Sequence, residues 1–128
     1  HLDYYLMALA MEGANSSRLD AAYADQATQL DPAVPSQSRI TDDTYNNSLG
    51  QYYVDPDDSW YLDFVEFFRN ESKRYNGSSD KLFSAFLPRL IPSVGCMLLH
   101  PFIQLGYAYE LNGGDSRLVV EGLAWLST

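Results

Sequence analysis

The 128 residues predict an all-α fold of six or seven antiparallel helices, and three observations carry that prediction. Apolar residues recur at helical spacing in nearly every segment between turn signals. Those segments end where helices end, at Gly13, Gly50, Asn76-Gly77, Pro92 and Asn112-Gly113-Gly114. No alternation of apolar and polar residues persists long enough to name a strand.

In chain order, residues 1–12 read as a first helix with Leu2, Leu6, Leu9 and Ala10 on one face and Gly13 as its C-cap. Asn15 or Ser16 caps a second, to about Gln29, with Leu19, Ala22, Tyr23 and Ala27 inward. Asp31 to Ser38, with Pro32 and Pro35, is a loop. Thr41 opens a short helix whose first turn carries Asp42 and Asp43, as the helix dipole favours, and which ends at Gly50 before a turn at Asp55-Pro56-Asp57. Asp57, Asp58 or Ser59 then caps a helix to about Tyr75, with Trp60, Leu62, Phe64, Val65, Phe67 and Phe68 inward and Asp63, Glu66 and Glu71 outward. A helix capped by Ser79 or Asp80 runs through Leu87; Pro88 disturbs it and Pro92 ends it. The last helix spans Asp115 to Leu126, with Leu118, Val119, Gly122, Leu123 and Leu126 inward.

Phe86 to Glu110 is the longest nearly uncharged run, interrupted only by Arg89. Pro101 sits easily only in a first helical turn or at a kink, so His100 is expected just before, or in the first turn of, a helix running from about Pro101 to Leu111. Gln104, Tyr107 and Leu111 then share its stripe, and Phe102, Leu105 and Tyr109 form a flanking core stripe.

A formal net charge of −9 excludes the clustered Lys and Arg that nucleic acid or an anionic membrane surface requires. No run reaches the roughly 18 apolar residues of a membrane span. Cys96, the single cysteine, has no disulfide partner within the chain and reads as core. There is no Gly-x-Gly-x-x-Gly after a strand and no Cys-x-x-Cys or His-Glu-x-x-His, so neither a Rossmann site nor a metal site is expected. Four Asn-x-Ser sequons, at Asn15, Asn46, Asn70 and Asn76, mark where a secretory route would leave glycans, but three fall at helix ends where Asn and Ser cap; the expected compartment is cytoplasmic.

Two motifs carry a resemblance. Arg89-Leu-Ile-Pro92, Leu99-His-Pro-Phe-Ile-Gln-Leu-Gly-Tyr-Ala-Tyr-Glu110 and Glu121-Gly-Leu-Ala-Trp-Leu126 follow one pattern, and His1-Leu-Asp-Tyr-Tyr-Leu-Met-Ala-Leu-Ala-Met-Glu-Gly-Ala14 follows an earlier one. Together they resemble the questin oxidase-like family. The resemblance implies that residues 1–128 are the N-terminal part of a longer helical domain. It further implies an oxidoreductase that cleaves a polycyclic aromatic ketone, an anthraquinone or polyketide, by Baeyer–Villiger-like oxygen insertion supported by NADPH. No flavin or metal motif accompanies it.

His100 and His1 align with the family's histidines and are the expected catalytic pair. Histidine titrates near neutrality, so such a ring can take a proton from a hydroquinone or donate one to a carbonyl or peroxy oxygen. Gln104, Tyr107 and Tyr4 are the expected substrate contacts. Where some members carry further histidines, this chain has Gln104 and, near the first motif, Tyr4; an amide and a phenol cannot act as bases at neutral pH in the same way. The alternative is a non-catalytic helical module that binds an apolar ligand or a partner helix.

Overall fold

The computed structural model describes residues 2–30, 34–50, 60–95, 99–111 and 116–128, with the side chains of Asp3 and Tyr4 excepted. These residues form seven α-helices and no strand: α1 (Leu2–Met11), α2 (Ser16–Ala27), α3 (Tyr45–Ser48), α4 (Tyr61–Arg74), α5 (Ser79–Leu90), α6 (His100–Leu111) and α7 (Arg117–Ser127). A 3₁₀ turn, Ile91–Ser93, follows α5. The predicted turn at residues 55–57, the capping residues 57–59, Cys96 and the 112–114 separator all lie outside the described residues.

Local chemistry sets the helix ends. Gly13 (φ 86°) closes α1 in a Schellman motif, with Ala14 N–H donating to Leu9 O and Gly13 N–H to Ala10 O. Asn15 Oδ1 accepts from Arg18 N at 3.0 Å and caps α2. Asn76 (φ 55°) and Gly77 (φ 73°) turn the chain out of α4, and Ser78 rather than Ser79 or Asp80 caps α5 through Lys81 N. Pro88 does not end α5. The helix continues to Leu90, because Ser84, whose carbonyl loses its partner, is exposed to water.

The core is aromatic and lies where α4 meets α5, α3 and α7. Tyr45, Phe64, Phe67, Phe68 and Phe86 are all buried, with Tyr45 stacked on Phe67 at 4.9 Å and edge-on to the other three at 5.4–6.1 Å. The aromatic spacing read on α4 is therefore the core. Helix α7 packs on α4, α5 and α6, and α6 in turn carries α1. Gly122 allows the α6–α7 contact: a Cβ there would stand 3.0 Å from Leu105 Cα.

Several facing assignments are corrected. Asp63 and Glu71 are buried, not outward, because polar partners follow them inside. Tyr23 and Leu118 are exposed, and α2 buries no residue; among the described helices its main packing is on its neighbour α1, which covers one side alone. Met7 joins Leu9 as the most buried pair on α1. On α6, Leu105 is core, but Phe102 and Tyr109 are about two-fifths exposed. Tyr109 lies against the Phe83 ring at 4.7 Å, and its hydroxyl donates to Asp80 at 2.6 Å.

Candidate functional site

The head of α6 is built as the proline requires. His100 is its first residue and Pro101, fully buried, fills the first turn, where a missing N–H costs nothing. The +4 and +7 positions carry Gln104, buried at 2% exposure, and Tyr107, half-buried, so imidazole, amide and phenol line one side of the helix. His100 and Gln104 are each engaged in an interaction within the protein. Helix α1 packs against α6, which brings the first motif to the second. The side chain of Tyr4 and all of His1 lie outside the described residues.

Neither α1 nor α6 contains a lysine or arginine. The described residues of the α1–α6 seam thus offer no cation for phosphates and make an apolar surface with a few polar side chains.

Two features escaped the reading of the sequence. The first is a clamp around Asp63. Its Oδ1 accepts from Ser36 Oγ (2.7 Å), Gln37 N (2.5 Å) and Ser38 N (3.0 Å), and its Oδ2 pairs with Arg39 Nε. Glu66 Oε2 accepts from the Ser36 and Ser38 hydroxyls at 2.5 and 2.8 Å. Burial pushes the Asp63 carboxyl up, but the bonds from Ser36, Arg39 and the Gln37 amide outweigh it and hold the pKa below the ordinary value. Arg39 also lies 3.7 Å over the Trp60 ring. The clamp fastens the 36–39 loop to α4 through bonds within the protein, so it reads as structural.

The second is a cleft of about 290 Å³ between α3, α4 and α5, lined by Tyr45, Phe67, Arg74, Tyr75, Phe86 and Arg89 among others. It adjoins one of about 310 Å³ that shares Asp42, Phe67, Glu71 and Arg74. Arg74 Nη1 donates to both Asp42 oxygens (3.0 and 2.8 Å) and to Glu71 Oε1 (2.5 Å). The signal for both features was spacing: Asp63 and Glu71 stand four residues either side of Phe67, on its own buried stripe.

All four sequon asparagines are exposed; Asn15 caps α2, Asn46 lies in α3, Asn70 lies within α4, and Asn76 shapes the turn after it. No described helix is long and apolar enough to cross a membrane.

No curated protein and no solved structure matches this chain. A family model does match, and it spans both motifs and everything between them. It is described as questin oxidase-like and covers residues 1–128; the chain belongs to the questin oxidase-like family.

Proposed function

We propose that this chain is part of an oxidoreductase that inserts oxygen beside the carbonyl of a polycyclic aromatic ketone, an anthraquinone or polyketide, in a Baeyer–Villiger-like ring cleavage in the cytoplasm. Family membership suggests the oxidoreductase class. The observation that carries the residue assignment is the α6 stripe, with His100 in the first turn, Gln104 buried one turn on and Tyr107 beyond it, against α1, the helix of the first motif.

His100 is the group that holds or moves a proton at the substrate's carbonyl or hydroxyl oxygen, assisted by His1. Gln104 and Tyr107 orient that oxygen from the same side, with Tyr4 assigned as a further substrate contact. The apolar neighbours keep water from the reacting carbon. NADPH, implied as the source of electrons, is not fitted by this seam, whose helices carry no Lys or Arg for its phosphates. No residue here is assigned to it.

Turnover of an anthraquinone panel with NADPH and oxygen, for wild type and His100→Ala, tests this reading. Loss of about 10²–10⁴-fold in a variant with unchanged circular dichroism is expected. Unchanged turnover would make His100 a packing residue and move the chemistry elsewhere.

A second reading is favoured by one observation. Phe102 and Ile103 on α6, and Leu99 just before it, are each more than two-fifths exposed, and the helix is apolar nearly all round. A non-catalytic module that binds an apolar ligand or a partner helix through that face would show ligand-dependent stabilisation and no turnover with any ketone.

A further inference from the structure

Arg89 stands apart from the other cations that line these clefts. Its guanidinium lies 4.4 Å over the Tyr45 ring and 5.4 Å from the Phe86 centroid, and Nη2 donates to Asn46 Oδ1 at 2.5 Å. It has no carboxylate partner among the described residues, in a chain with 17 acidic and 8 basic side chains. A guanidinium has five donors in a planar fork, and one bond to a neutral amide leaves most of them unused. The aromatic faces beneath hold that fork in one orientation, so little freedom remains to be lost on binding.

We propose that the cleft between α3, α4 and α5 binds a small planar aromatic carboxylate, with Arg89 as its anion partner. The carboxylate takes the free edge of the Arg89 fork in a two-bond pairing. Phe67 and Phe86, nearly fully buried, and the partly exposed Tyr75 line the space for the aromatic part, and about 290 Å³ limits the ligand to one or two fused rings. The formal charges on Asp42, Glu71, Arg74 and Arg89 cancel, so the selectivity is positional. Arg74 is committed to both carboxylates, whereas Arg89 pairs with no carboxylate among the described residues. The cleft is separate from the α6 stripe, and its ligand binding is read without turnover, so this inference and the oxygenase reading stand or fall separately.

The test is titration with 2-naphthoate and with uncharged 2-naphthamide, followed by calorimetry and by the NMR signals of the Tyr45 and Tyr75 rings. Naphthoate is expected to bind, to shift those signals, and to weaken with rising salt, with naphthamide at least tenfold weaker. Arg89→Gln should lower naphthoate affinity about tenfold to a hundredfold and leave naphthamide unchanged. Asp42→Asn, at a position more than half exposed and so harmless to folding, should raise naphthoate affinity several-fold by removing a lining charge. Failure of naphthoate to bind at millimolar concentration would overturn the proposal. So would equal binding of acid and amide, or an Asp42→Asn affinity at or below that of wild type.

Discussion

Gly122→Ala is the most direct probe of how α6 is held. An added Cβ would stand 3.0 Å from both Leu105 Cα and Leu105 Cδ1, and 3.2 Å from Leu105 Cβ. Carbon pairs are most favourable at about 3.5–4.0 Å, so the contact falls short by roughly 0.5–1 Å. Leu105 can turn its Cδ1 away, but its Cα moves only if the helix moves. Overpacking of this kind costs about 1–3 kcal/mol, and an immovable backbone atom puts it toward the upper end. Alanine returns about 1 kcal/mol of helix propensity. The net is a loss of about 1–2 kcal/mol, or a fall in Tm of about 3–8 °C for a chain of this size. Thermal and urea unfolding measure it, with Gly122→Val as a steeper second point. A Gly122→Ala protein as stable as wild type would refute the close α6–α7 approach. The displacement also bears on function, because Leu105 adjoins Gln104 and any retreat of α6 carries the His100 stripe with it.

Other perturbations test the core and the clamp. The Tyr45 hydroxyl is buried and has no partner at hydrogen-bond geometry among the described residues, although Ser127 stands near it. Tyr45→Phe should therefore stabilise the protein by about 1 kcal/mol in chemical denaturation, since an unpaired buried hydroxyl carries its desolvation cost uncompensated. Burial pushes the Tyr45 phenol above its ordinary value of 10.0, so wild type keeps full stability below that pH and loses it as pH rises toward the folded value. The Phe variant should show a smaller alkaline loss, and an unchanged pH profile would contradict the burial of that hydroxyl. Asp63→Asn should cost about 3 kcal/mol, because Arg39 loses its buried counter-charge. The folded Asp63 carboxyl is held below its ordinary 3.8, so its contribution is present above about pH 4 and is lost as pH falls through the lower folded value. Acid titration of stability should accordingly be flatter in the Asn variant, and an acid limb identical to that of wild type would place the clamp's energy elsewhere.

Helix existence and most boundaries were legible in the chain, because they depend on neighbours in sequence. Gly13, Asn15, Asn76-Gly77 and Pro101 act through φ, capping and a missing N–H within one turn, and the helices start or stop where these residues demand. The stripe of His100, Gln104 and Tyr107 is likewise a consequence of helical period alone. Both family motifs were legible as residue patterns, and the family match spans them.

Burial was not local, and it is where the reading by residue type failed. Asp63 and Glu71 are charged and were placed outside, yet they are buried because Ser36, Gln37, Ser38 and Arg39, more than 20 positions earlier, and Arg74 deliver the bonds that offset desolvation. Phe102, Tyr23 and Leu118 read as inward by residue type, yet each is more than a third exposed among the described residues. The cleft beside Arg89 exists only because α3, α4 and α5 converge on Tyr45, and nothing in the spacing of those segments encodes their approach. Period and capping are properties of a few consecutive residues, whereas desolvation, pairing and cavities arise only when distant segments meet.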